Sequence, residues 1–323
     1  MDQVIGKIIG GCFIESLIGQ GGMGAVYKAH HQALDIPVAV KILRPVLPIS
    51  NDVKRFLREA RTSARLNHPN IISVLNVGNE EGVHYITMEL IDGCNILEIL
   101  KKRKKIAAAE AARIGIEVLK ALEAAFEHGI VHRDIKPENI LVSSNGNVKL
   151  ADLGLALIDG ETKLTQACIT LGSPFYIAPE QAENSTMVDH RADLYSLGCT
   201  LFHMVSDSPP FKGDSPVEII LSHLNKPTPI LSNIDRSVPV QFSDAIKKLM
   251  EKKPSRRFQH RREARLALEK AFSSTTTHAH SYLKPVTHRK RKNLNKLFLL
   301  LTLILIVIAV LVSGLTLFSG KLT

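Results

Sequence analysis

The chain has 323 residues, 45% of them hydrophobic and 22% charged. That balance suits one large domain or two small ones with a sizeable core, and it excludes a wholly disordered chain. The formal charge of +10 is concentrated at one end: Lys284, Arg289, Lys290, Arg291, Lys292, Lys296 and Lys321 lie in residues 273–323, which hold no acidic residue. Residues 1–272 are left with 34 basic against 31 acidic side chains, so no nucleic-acid groove is expected on the body.

Residues 1–11 lack a basic stretch followed by a sustained apolar core, so no secretory signal is expected. From there to residue 91, short apolar runs at 13–18, 24–29, 37–43, 71–77 and 83–90 alternate with turns and predict antiparallel strands. One helix, over 52–66, interrupts them and ends at Asn67-His68-Pro69. Over 95–272 the pattern is mostly helical. Ile114, Val118, Leu119, Leu122 and Phe126 mark a helix over 107–128 that stops at Gly129, and 193–205 and 243–251 read alike. The spacing therefore predicts an α+β, bilobal body over 12–272, with a small β-rich lobe (12–91), a larger helical lobe (92–272) and a ligand cleft between them.

Residues 273–296 replace apolar periodicity with Ser, Thr and His, then with the basic cluster Arg289-Lys290-Arg291-Lys292 and Lys296, and predict a flexible linker. Residues 297–318 are a 22-residue run without a charge. As a helix at about 1.5 Å per residue it reaches across a hydrocarbon core of about 30 Å. One C-terminal transmembrane helix is expected, with a short outer tail at 319–323. The preceding basic residues put the body in the cytoplasm, single-pass and C-terminally anchored, and should bind anionic lipid. So short a tail is not expected to relay a signal from a folded outer domain. Cys12, Cys94, Cys168 and Cys199 form no CxxC pair and no metal spacing, as expected of free thiols in a reducing compartment.

The chemistry lies in the body. Gly19-Gln20-Gly21-Gly22-Met23-Gly24 is a G-x-G-x-x-G, but the following Ala25-Val26-Tyr27-Lys28-Ala29 reads as a strand, where a dinucleotide fold needs a helix. A glycine hairpin between strands can lie flat over phosphates. In Val38-Ala39-Val40-Lys41, alternation puts Ala39 and Lys41 on one face. A lysine buried under that loop needs a counter-charge, for which Glu59 is the candidate. His132-Arg133-Asp134-Ile135-Lys136-Pro137-Glu138-Asn139 supplies a carboxylate, a cation and an amide oxygen. A short hairpin, 140–142 with 148–150, then leads to Asp152-Leu153-Gly154. Oxygen ligands with one or two carboxylates suit Mg²⁺ bound with substrate phosphates.

This ordered set resembles the eukaryotic-like (Hanks-type) serine/threonine protein kinases of the bacterial branch. The resemblance covers about residues 12–272 and implies ATP, with Mg²⁺ or Mn²⁺, as the phosphoryl-transfer system. It implies that Ile18, Gly19, Gln20, Gly21, Gly22, Met23, Gly24, Ala25 and Val26 cover the triphosphate. Lys41 would hold the α- and β-phosphates and pair with Glu59. Met88 would be the gatekeeper, with Glu89, Leu90 and Ile91 the adenine-pairing hinge, and Ala39, Asn95 and Leu141 would complete the ATP site. Asp134 would accept the substrate proton, Lys136 reach the γ-phosphate, and Asn139 and Asp152 hold the metal. Glu180 should pair with Arg257, and Asp193 anchor the catalytic loop. Lys136, two after Asp134, and Gly172-Ser173-Pro174-Phe175-Tyr176 resemble the Ser/Thr type, so Ser/Thr-containing proteins are the implied substrates. Thr162, Thr165 and Thr170 are the candidate activation-segment phosphosites, through self-association of kinase molecules, with Arg133 as the phosphate's partner.

Leu153 stands where most relatives have Phe, and Ser173 where Thr is commoner. Both keep the needed chemistry, an apolar plug and a hydroxyl. A membrane-anchored pseudokinase scaffold is the alternative, but it would lack Lys41, Asp134 or Asp152. Two features stay open: Lys101-Lys102-Arg103-Lys104-Lys105 is a solvated loop or a docking patch, and Cys94 is a buried small hydrophobe or a thiol beside the ATP ribose.

Overall fold

The computed structural model describes residues 4–21, 24–43, 53, 60, 64–153, 174–183 and 188–275. The first lobe is a six-stranded antiparallel sheet of β1 (Ile8–Ile9), β2 (Cys12–Gln20), β3 (Gly24–His31), β4 (Ile36–Leu43), β5 (Val74–Glu80) and β6 (Val83–Glu89), in the order β1-β2-β3-β4-β6-β5. Period-2 alternation sets its two faces. Cys12, Ile14, Tyr27, Ala29, Val38, Val40 and Tyr85 bury one face as a core. The other carries the cross-strand pairs Val26–Lys41, Ala39–Met88 and Lys41–Ile86.

The second lobe has a three-stranded sheet, β7 (Gly93–Asn95), β8 (Ile140–Ser143) and β9 (Val148–Leu150), in that order. Its described helices are α1 (Ile96–Arg103), α2 (Ala108–Glu127), α3 (Pro179–Glu183), α4 (Arg191–Ser206), α5 (Pro216–Asn225), α6 (Leu231–Ile234), α7 (Val240–Leu249) and α8 (Arg261–Thr275). α4 is hydrophobic nearly all round, and burial on all sides follows, as a central helix requires. α2 lays Ile114, Val118, Leu119 and Leu122 on the same core and ends at Glu127, with His128 as its C-cap before Gly129 in the left-handed region (φ +72).

Several expectations need correction. The strand expected over 71–77 begins only at Val74. Ile71 instead bridges Leu150, and Ile72 N–H donates to the Leu150 carbonyl (3.0 Å), because this loop is stitched to β9. Lys101, Lys102 and Arg103 are not a loop but the last turn of α1, where cations suit the helix dipole. Lys105 bonds Asp235 (3.1 Å). The final helix continues to Thr275, past the compositional boundary at 272. Of the helix expected over 52–66, Val53 and Ala60 are helical, Ala64 N–H bonds the Ala60 carbonyl (2.9 Å), and Leu66 is no longer helical. Among the described residues no helix is long and apolar enough to cross a membrane, and 276–323, with the expected span and basic cluster, lie outside them.

One polar cluster lies inside the helical lobe. The Tyr195 hydroxyl sits 2.9 Å from His223 Nδ1, and Lys252 Nζ donates to the His223 carbonyl (2.7 Å) and lies over the Phe211 ring. Burial, then the nearby Lys252 charge, push the His223 imidazole down to about 3. Its folded-state affinity for a proton is therefore below that of the unfolded chain. The stability it contributes is complete above pH 6.5 and is lost as pH falls toward the folded value. Between these limits the loss should approach about 1.4 kcal/mol per pH unit from this group. Denaturant midpoints between about pH 6 and pH 4 should fall less steeply for His223→Gln than for wild type. Parallel slopes would contradict a buried neutral His223.

Candidate active site

The glycine turn joins two strands. β2 and β3 pair through Gln20–Ala25, and Gly21 N–H donates to the Gly24 carbonyl (2.8 Å). A Cβ on Gly24 would lie 2.1 Å from the Ile42 carbonyl oxygen, so only glycine lets β3 approach β4 there. Gly19 and Gly21 face open space, as a loop that lies over a ligand must. Ile18 is exposed, Val26 half-buried and Ala25 buried; Gly22 and Met23 lie outside the described residues.

Below this turn Lys41, 8% exposed, donates from Nζ to Asp152 Oδ1 at 2.8 Å. The contact brings together β4 and the segment after β9, 111 residues apart. Glu59, its expected partner, lies outside the described residues, as do Thr162, Thr165, Thr170, Ser173 and Cys168. Leu153 fills the apolar slot expected of it, with Ala60, Ile72, Val74, Ile86, Met88 and Leu150 around the same small cavity.

The residues from His132 to Asn139, the expected catalytic loop, are held from below. Asp193, in the first turn of α4, accepts the His132 N–H (2.9 Å) and the Arg133 N–H (2.7 Å). Burial pushes its carboxyl up, opposed by His132, these two N–H groups and Arg261. His132 Nε2 lies 3.0 Å from the Ala151 carbonyl and ties the loop to the strand before Asp152. On the upper side Lys136 Nζ donates to Asp134 Oδ2 (2.7 Å), and Asn139 Nδ2 donates to the Asp134 carbonyl (2.8 Å) and Oδ2 (3.1 Å). Arg133 (φ +64) and Asp152 (φ +57) adopt the left-handed backbone that non-glycine residues avoid. Such strain, of order 1–3 kcal/mol each, gathers where surroundings enforce a working geometry.

The donor set fits a small hard cation. With both Asn139 donor bonds spent on Asp134, the amide oxygen is oriented for another partner, and Asp152 adds a carboxylate. One amide oxygen and one carboxylate, completed by phosphate oxygens and water, is a Mg²⁺ arrangement.

The segment expected to be the hinge begins at Glu89, the last residue of β6. Met88 pairs with Ala39, and Glu89 N–H donates to the Ser73 carbonyl (3.0 Å). Among the described residues neither backbone polar group of Ile91 has a hydrogen-bond partner, which leaves a donor and an acceptor on this edge. Leu141 pairs with Asn95 across β7 and β8. Asn95 caps α1: its side-chain oxygen accepts the Glu98 N–H (2.8 Å), so only the amino end of that side chain remains for a ligand. Cys94 is buried in the core, and burial pushes its thiol up, so of its two readings the small hydrophobe fits. Sequence reasoning missed Ser73 and Lys149, which both bond the Glu89 carboxylate (2.8 and 2.6 Å). The available signal was one charged residue between Val148 and Leu150.

Glu180 and Arg257 form the expected pair: Nη1 to Oε1 and Nη2 to Oε2, both 2.6 Å.

Residues 13–273 match the family model described as the protein kinase domain. The chain belongs to the protein kinase family. It is 41% identical to a probable serine/threonine-protein kinase of Clostridium perfringens over 83% of this chain and 39% of that protein. It is 37% identical to the serine/threonine-protein kinase PrkC of Bacillus subtilis (84% and 42%). With the probable serine/threonine-protein kinase PknB of Lactococcus lactis it shares 39% identity (79% and 41%). The chain thus spans about two fifths of the length of the curated relatives it matches.

Proposed function

We propose that the chain is a serine/threonine protein kinase that transfers the γ-phosphoryl group of ATP to Ser and Thr hydroxyls of proteins, its own activation segment included. The observation that carries this is that Lys136 and Asn139 bond Asp134, Lys41 bonds Asp152, and the two groups are joined where Ala151 N–H donates to the Asn139 carbonyl (2.8 Å). Phosphoryl transfer is mostly positioning and charge neutralisation, and this set supplies both. Lys41 meets the α- and β-phosphates, and the glycine turn excludes water above them. The Ile91 backbone pairs with adenine. Asp134 orients the substrate hydroxyl and takes its proton, while Lys136 balances charge on the transferred group. Asn139 and Asp152 would hold Mg²⁺ or Mn²⁺, which when bound neutralises phosphate charge.

We further read residues 297–318 as a tether that holds the kinase at the cytoplasmic face of a membrane, with the basic cluster before it on anionic lipid. The support is the uncharged run and its flanking Lys and Arg. Confinement would raise the effective concentration of membrane-bound substrates and of the kinase itself.

Incubation of the full chain with γ-labelled ATP, Mg²⁺ and a generic protein substrate tests the reading. Label is expected on Ser and Thr and not on Tyr, with self-labelling at Thr162, Thr165 or Thr170, and activity in the membrane pellet. Absence of transfer, or label on Tyr, would overturn the kinase assignment. Full-length protein in the soluble fraction would overturn the tether alone.

A further inference from the structure

The strand that leads to Asp152 carries a lysine that the chemistry above does not use. Lys149, in the middle of β9, donates from Nζ to Glu89 Oε1 (2.6 Å) and to the Ile71 carbonyl (3.2 Å). Glu89 Oε1 also accepts the Ser73 N–H (2.8 Å), and Glu89 N–H donates to the Ser73 carbonyl (3.0 Å). The loop that carries Ile71 and Ser73 is itself bonded along β9. Asn70 Nδ2 donates to the Val148 carbonyl (2.8 Å), Leu150 N–H to the Asn70 carbonyl (2.8 Å), and Ile72 N–H to the Leu150 carbonyl (3.0 Å). One ammonium therefore joins the last residue of β6, where the expected hinge begins, to β9, and Asp152 follows Lys149 by three residues, just past the end of that strand.

We propose that Lys149 is a positioning residue for the nucleotide: through Glu89 it sets the hinge edge in register with Asp152. The proposal rests on the reading of this cleft as an ATP site. The Lys149 and Glu89 side chains are 18% and 28% exposed, so solvent screens the pair less than it does a surface pair. Without the ammonium, the Glu89 carboxylate keeps only the Ser73 N–H among its side-chain contacts here, and hinge and β9 lose their direct link. Nucleotide binding draws on both ends of that link. The transfer step draws on Asp134, Lys136 and Asn139, which Lys149 does not touch. Loss of Lys149 should therefore weaken binding and spare turnover.

The test uses the full chain and Mg-ADP binding by calorimetry, beside kcat at saturating ATP. Lys149→Met should bind Mg-ADP about tenfold more weakly, the scale of one charge-assisted hydrogen bond, with kcat within about twofold of wild type. Lys149→Arg should restore most of the affinity. Adding Glu89→Gln to Lys149→Met should cost little more than Lys149→Met alone, because the two act through one contact. Should Lys149→Met fail to fold, Lys149→Gln, neutral on a similar stem, carries the same expectation. Affinity equal to wild type, or a fall confined to kcat, would overturn the positioning role. A wild-type chain that binds no Mg-ADP would overturn the ATP-site reading and the proposal with it, a distinct result.

Discussion

The Glu180→Ala protein is expected to lose about 3–5 kcal/mol of stability, the scale for removing one partner of a buried ion pair. The Arg257 side chain has no exposed surface, and both its terminal nitrogens bond the Glu180 carboxylate at 2.6 Å. Removing the carboxylate leaves a guanidinium sealed in the helical lobe. It would keep the carbonyls of Arg191, Glu251 and Lys252, and the Tyr195 ring 4.8 Å away. Those neutral acceptors offset part of the loss but cannot replace the charge. The pair also fixes α3, whose Gln181 donates to the Arg133 carbonyl (2.9 Å), so the catalytic loop should loosen as well. Urea midpoints read the effect directly. Lys105→Met, which breaks an exposed pair with Asp235, is the control and should leave the midpoint nearly unchanged. Equal, small shifts in both variants would mean that Arg257 is not held as described.

Much of the site was legible because its parts are local. The glycine turn could be told from a dinucleotide motif by the alternating residues on both sides, and Gln20–Ala25 pairing bears that out. The face shared by Ala39 and Lys41 followed from the period of a strand. What escaped the sequence is non-local or short. Glu89 and Lys149 are 60 residues apart, and nothing in either segment names the other. β1 and β7, two and three residues long, are too brief to show a period. The basic run at 101–105 hid the end of α1, although Ile96, Ile99 and Leu100 carry helical spacing. Ile71 and Ile72 open an apolar run like that of a strand, yet their backbone is drawn to β9. The left-handed backbone at Arg133 is opposite to what that residue type prefers, and at Asp152 it is one that Asp tolerates without demanding, so neither could be read from the residue type. The anchoring by Asp193 came from family resemblance, not from the pattern of residues.

The central claim is that Asp134 takes the proton of the substrate hydroxyl in a cleft that binds ATP independently of it. Asp134 Oδ2 already receives Lys136 Nζ and Asn139 Nδ2, so an asparagine there can keep an acceptor for these neighbours while losing the basic oxygen. The fold and the nucleotide contacts at Lys41, Asp152 and the hinge should survive the change. Removal of a positioned general base should slow transfer about 10²–10⁴-fold. The decisive measurement is single-turnover transfer from γ-labelled ATP to a serine peptide by wild type and Asp134→Asn at matched nucleotide occupancy. The account predicts unchanged nucleotide affinity and a rate lower by at least about a hundredfold. Transfer by Asp134→Asn at more than about a tenth of the wild-type rate would contradict it.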